Sequence, residues 1–205
     1  MLTSSWRSMI AAAGVISLSI LATSSYAADL TKDDEIAIRG DIIGIDPTTR
    51  MIIVDSPERD TLGYQVLPNT GDRSAGGDIF PKLKNGQTID MRYYRIIDVL
   101  VAKATPDVEK EAAALITDPA KAPGILNTGR KVKVWQVKGM VVRTDMAAKK
   151  AAKKMDIVDP NGGMVYRTPW IKSKEGQATL ASLKPGDGVV CVFTQRTAFD
   201  VVPVQ

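Results

Sequence analysis

The chain has 205 residues, with 27 Lys and Arg against 23 Asp and Glu, a single Cys and no His. Without histidine, Ser-His-Asp and Cys-His catalysis in their usual forms and His-based zinc sites are excluded. So near a balance of charge also excludes a nucleic-acid-binding protein, whose basic residues would be in excess and gathered on one face.

The N-terminus carries Arg7, then an apolar run from Met9 to Leu21, then Ser25-Tyr26-Ala27 with small residues at the two positions a signal peptidase reads. The run is well short of the roughly 20 residues needed to cross a bilayer. A cleaved secretory signal over 1–27 is therefore predicted, with an uncleaved membrane anchor as the rival. The mature chain would start at Ala28, periplasmic or secreted, with no membrane span after cleavage. Cleavage removes Arg7 and no acid, so 26 basic residues face 23 acids and the net charge becomes +3.

From there, short Val/Ile-rich runs with period-two alternation are punctuated by Gly, Pro, Asn and Asp, which predicts strands. They fall at 36–46, 51–56, 63–67, 88–94 and 97–103. The Gly-rich stretch Asn69–Asp78 lacks the Lys-Ser/Thr of a phosphate loop and reads as a loop. Thr105 as N-cap, Pro106 in the first turn and Asp107 and Glu109 near the positive end predict a short helix. Strands follow at 133–145, 155–158, 164–168, 188–194 and 198–204. Between the first two lies "MAAKKAAKK", Met146 to Lys154, which is a solvated loop or a docking site for phosphates, lipid headgroups or an acidic protein. Cys191 alternates with Val189 and Phe193, the setting of a small buried hydrophobe.

The two halves repeat. "IRGDIIGID" (38–46) matches "VKGMVVRTD" (137–145), and "MIIVDSP" (51–57) matches "MDIVDPN" (155–161). "LKNGQTIDMRYY" (83–94) matches "LKPGDGVVCVF" (183–193), and Arg95 and Arg196 open the closing blocks. A repeat this long marks duplicated domains rather than a solenoid. The predicted class is all-β: two tandem OB-like five-stranded small barrels joined by a short helical spacer. The divisions are 28–104 for the first barrel, 105–130 for the spacer and 131–205 for the second. Gly40 and Gly139, inside each long first strand, predict a bulge or a sharp coil there.

These motifs resemble the uncharacterised secreted proteins of Gram-negative bacteria built from such modules in tandem. More distantly, each half is similar to the small barrel of the periplasmic copper chaperones related to CusF. That resemblance implies a Cu(I) site made of a His, two Met and a neighbouring Trp. The chain has Trp135, Trp170 and scattered Met51, Met91, Met140, Met155 and Met164, but no His and no Met-x-Met pair, so no copper ligand carries over.

Two functional readings follow. In the first, the protein is an exported, non-enzymatic binding or scaffolding module that engages an envelope protein, peptide or saccharide through a barrel face and its loops. Its candidate partner-binding residues are Tyr94, Arg95, Tyr166, Arg167 and Trp170, because Tyr, Trp and Arg anchor interfaces. The loop lysines Lys149, Lys150, Lys153 and Lys154 join them. In the alternative, methionine thioethers alone hold Cu(I), against their ordinary use as core filler. No catalytic residue, cofactor or metal ligand is assigned. The recurring Asp46/Asp145 and Asp55/Asp159 sit at strand ends, where Asp caps turns.

Overall fold

The computed structural model of the chain describes residues 32–68, 70, 77–118, 133–144, 153–159 and 163–205. The predicted signal, Lys149 and Lys150 lie outside the described residues. Ten strands and two helices are described. They are β1 (Glu35–Asp46), β2 (Met51–Ser56), β3 (Arg59–Val66), β4 (Thr88–Tyr94), β5 (Asp98–Lys103), α1 (Pro106–Thr117), β6 (Val134–Thr144), β7 (Met155–Val158), β8 (Val165–Arg167), α2 (Lys174–Ser182), β9 (Gly188–Thr194) and β10 (Thr197–Pro203). The chain is mainly β, in two five-stranded sheets.

The sheets do not follow the order of the chain. The first is a closed barrel in the order β1-β2-β3-β10-β4, and the second has the order β5-β9-β6-β7-β8. The expectation grouped all five strands of each half; instead the fifth strand of each half pairs inside the other sheet. The exchange keeps its register. Val201 of β10 lies opposite Met91 of β4, and Val101 of β5 lies opposite Cys191 of β9. Met91 and Cys191 are themselves the matched residues of the repeat, and both are buried. β10 runs parallel to β3 through Gln65 and Val66, which closes the first barrel.

The repeated Leu-Lys-x-Gly phrase has one structural job in both halves. Gly86 and Gly186 have φ of 80° and 93°, in the region that favours glycine. Their N–H groups donate to Ile42 O and Val141 O, the first strand of each half, at 2.7 and 2.8 Å. Each turn thus sets the start of the strand that follows.

Of the bulge or sharp coil expected at Gly40 and Gly139, the bulge does not fall there. The irregularities lie further on, at Ile42/Gly44 and Val141/Arg143. A Cβ on Gly40 would sit 2.4 Å from Asp55 O, and one on Gly139 2.4 Å from Val158 O. These glycines admit the neighbouring strand at close range. They also show that Asp55 and Val158 occupy equivalent places, so β7 is offset by one residue from the alignment of "IVD" in the two halves.

Burial in β1 alternates, with Ile38, Gly40 and Ile42 inward, as one-sided burial requires. β9 is different: Val189 to Thr194 are all buried. Val189, Cys191 and Phe193 pack with Leu180 of α2, whereas Val190 and Val192 pack with Ala112 and Leu115 of α1. That second cluster also takes in Leu67, Tyr94 and Phe199, so it joins the two sheets. Helix α1 forms as its sequence predicts, with Thr105 Oγ1 accepting from Val108 N at 3.3 Å.

Helix α2 was not predicted. Ser173 caps it by accepting from Gly176 N at 3.0 Å, but Gly176 lowers intrinsic helix propensity. The glycine is needed for close packing, since a Cβ there would fall 2.7 Å from Ile171 Cγ2 and 2.8 Å from Asp98 Oδ2. Asp98, fully buried on the exchanged β5, accepts from Lys172 N at 2.5 Å, from Ser173 N at 3.2 Å and from Ser173 Oγ. A carboxylate at the start of α2 therefore ties the exchanged strand to the second sheet.

Candidate functional site

The exchange requires two crossovers. Arg95–Ile97 carries the chain from β4 to β5, and Gln195-Arg196 carries it from β9 to β10. They run side by side, with Thr194 N donating to Ile97 O at 2.9 Å and Ile97 N donating to Thr194 Oγ1 at 3.0 Å. Arg196 O accepts from Gln65 N of β3 at 2.8 Å, and Gln195 N donates to Lys133 O at 2.9 Å. Main-chain bonds thus hold both crossovers to the two sheets.

A cleft of about 780 Å³ opens over them. Met51, Gly63 and Tyr93 of the first sheet form one wall. Trp135 and the segment from Tyr166 to Trp170 form the other. Among the described residues the lining includes four cations, Arg95, Lys154, Arg167 and Arg196, and no carboxylate.

The aromatic wall is built in layers. Trp135 lies 5.3 Å from Phe193 and meets Tyr166 edge-on at 5.8 Å and 84°. Its Nε1 donates to Thr194 O at 3.2 Å, which fixes the ring. Trp170 is 59% exposed, with Lys153 Nζ and Lys154 Nζ at 5.0 and 5.8 Å from its ring centroid, within cation–π range. Burial raises the Tyr166 hydroxyl pKa above its ordinary value, and the Arg196 charge acts in the opposite sense.

The cations differ in how they are balanced. Arg95 Nε is 3.7 Å from the buried Asp34, which Lys172 Nζ also engages at 2.6 Å. Arg167 is 3.2 Å from Asp156, shared with Arg143 at 2.8 Å. Each of these carboxylates thus serves two cations. Arg196 is half-buried and makes no ion pair among the described residues.

Of the predicted partner-binding residues, the structure brings Arg95, Tyr166, Arg167, Trp170 and Lys154 to this cleft, with Lys153 beside it against Trp170. Tyr94 does not join them. It is 2% exposed, its ring lies 4.5 Å from Phe199, and its hydroxyl donates to Glu35 at 3.4 Å. Alternation turns Tyr93 to the barrel side and Tyr94 to the opposite face, which the junction between the sheets covers. Trp135, Gln195 and Arg196 were not singled out as site residues. The signal that could have found Arg196 was its recurrence with Arg95 at the head of each closing block.

The methionines are dispersed. Met91 and Met155 belong to different cores, Met51 lines the cleft, and Met140 and Met164 are exposed on the second sheet. Among the described residues no three Cys, Asp or Glu side chains converge to hold a metal, and no helix is long and apolar enough to cross a membrane. Compared with models of known families, with curated proteins and with solved structures, the chain matches none.

Proposed function

We propose that the protein is an exported, non-enzymatic binding or scaffolding module, periplasmic or secreted after loss of residues 1–27, that receives a partner in the cleft between its sheets. The observation that carries the reading is the lining itself, which among the described residues has four aromatic rings, from Tyr93, Trp135, Tyr166 and Trp170, four cations and no carboxylate. Such a surface suits an anionic region of an envelope protein, peptide or saccharide. The first sheet is read as an OB-like barrel, a reading supported by its β1-β2-β3-β10-β4 order and the parallel β3–β10 pair; the second is a five-stranded sheet in the order β5-β9-β6-β7-β8. In OB-type barrels the β2–β3 face and the loop between the last two strands carry ligands, and Met51, Gly63 and both crossovers occupy those places here. The carboxylates at the strand ends fit turn and packing roles. Asp46 accepts from Thr48 N at 2.9 Å and from Thr49 Oγ1 at 2.5 Å, and Asp55 accepts from Thr61 Oγ1 at 2.8 Å.

The test is a paired purification from the periplasm of the native host, with wild type and Arg196→Glu handled alike and examined by native mass spectrometry. A species carried by wild type and lost from the variant supports the cleft as the binding face. A species carried equally by both places the partner elsewhere and removes the proposal.

A further inference from the structure

Arg196 stands apart among the charges of the described residues. It is half-buried, its backbone is bonded to β3, and no carboxylate among the described residues pairs with it. Taking a guanidinium partly out of water without an anion is unfavourable, and its planar fork suits a carboxylate or phosphate. The surroundings reinforce that preference. Asp34 and Asp156 each already serve two cations, and among the described residues Lys153 and Lys154 have the Trp170 ring and no carboxylate as side-chain partner. Positive charge therefore exceeds negative charge throughout the cleft wall.

Two further features describe what would carry the anion. Gln195, on the same crossover, has a buried amide Oε1 with no hydrogen-bond partner among the described residues. Rotated toward the cleft, it would accept a hydrogen bond that a carboxylate cannot give and a hydroxyl can. Across the cleft stand the exposed Trp170 ring and Tyr166, flat apolar faces with polar tips. An anion, a hydroxyl donor and a flat apolar face together describe an acidic sugar.

We infer that the crossover junction is a subsite for an acidic saccharide, whose carboxylate or phosphate sits at Arg196 beside Lys154 and whose ring lies against Trp170 or Tyr166. This rests on the reading of the cleft as the binding face and specifies its ligand. Since both crossovers line it, the site is a product of the strand exchange.

The test titrates the full mature chain at low ionic strength with trigalacturonate, glucose 6-phosphate, maltotriose and tetraglutamate, followed by NMR. Trigalacturonate, glucose 6-phosphate or both should shift the Trp170 and Trp135 indole signals, and their ranking separates carboxylate from phosphate. Arg196→Gln should weaken binding about tenfold, the usual scale for losing a charge-assisted hydrogen bond, with partial rescue by Arg196→Lys. Trp170→Ala should also weaken it, and added salt should do so in wild type. Maltotriose binding as tightly as the acidic sugars, or an Arg196→Gln variant that binds like wild type, would overturn the inference. Tetraglutamate binding at the cleft while neither acidic sugar binds would also overturn it, yet would leave the cleft reading in place. If no probe binds, the saccharide inference fails, and the paired purification decides the cleft separately.

Discussion

Asp98 illustrates how much one side chain can decide. Its carboxylate is fully buried and accepts from two backbone N–H groups and a hydroxyl at the start of α2. Asp98→Ala would leave those donors buried and unpaired, at a cost of about 3 kcal/mol. Urea unfolding should show it, with Asp98→Asn costing less because an amide oxygen still accepts; an unchanged midpoint in Asp98→Ala would refute the tie. Arg50 has a comparable role at the other barrel. It adopts φ 58°, uncommon outside glycine. From there its guanidinium binds both oxygens of Asp78 at 2.8 Å, donates to Val66 O and Leu67 O at 3.2 Å and covers the Phe80 ring. The Arg50 hydrogen bonds hold the Asp78 carboxyl below the usual carboxylate range. A folded pKa below the unfolded value means stability that is present above about pH 4 and lost as pH falls through the folded pKa. The stability gap between wild type and Asp78→Asn should therefore be largest near neutrality and close in acid, as read from urea midpoints against pH. A gap that is constant with pH would contradict this.

At the scale of elements, most of the secondary structure was legible, because period-two alternation and turn residues are local signals. The exchange of β5 and β10 was not. Both strands are apolar and similar, each pairs in the same register with β9 or β4, and nothing local records which of two equivalent slots a strand enters. The difference is testable through exposed pairs. Asp90 faces Val202 across β4 and β10, whereas without exchange Ala102 would take the place of Val202. In a Cys191→Ala background, Asp90→Cys with Val202→Cys should oxidise within one chain, and Asp90→Cys with Ala102→Cys should not. Mass spectrometry of the oxidised monomers reads the result, and the reverse pattern would mean the strands are not exchanged. The one-residue offset of β7 has the same origin. Matching "IVD" letters align Val54 with Val158, but strand pairing puts Val158 at the place of Asp55. Met155 consequently enters a core while Met51 stays half-buried beside the cleft.

For the molecule as a whole, exchange makes each sheet depend on the other half of the chain, and the cluster of Leu67, Tyr94, Phe199 and α1 binds the two together. The protein should unfold as one cooperative unit. Calorimetry should give a single transition with equal calorimetric and van't Hoff enthalpies; two resolved transitions would show that the sheets fold independently. The cleft is a whole-molecule feature in the same sense, since its floor is the pair of crossovers and its walls come from both sheets. Arg95, Tyr166, Arg167 and Trp170 could be picked out by residue type and position in strands. Arg196 acquires its significance from being half-buried with no carboxylate partner among the described residues, which no sequence pattern expresses.

The sequence by itself determined the mainly β class, the places of nearly all the strands, the capped α1 and the two Leu-Lys-x-Gly turns. Each depends on neighbours a few residues apart, through side-chain alternation, capping hydrogen bonds or the φ freedom of glycine. Only the tertiary structure decided which sheet received each fifth strand, that β4 would be covered on both faces at Tyr93 and Tyr94, and which half-buried arginine would stand without an acid among the described residues. Those outcomes depend on contacts between residues far apart in the chain, where two near-identical halves offer equivalent local choices and only the assembled packing separates them.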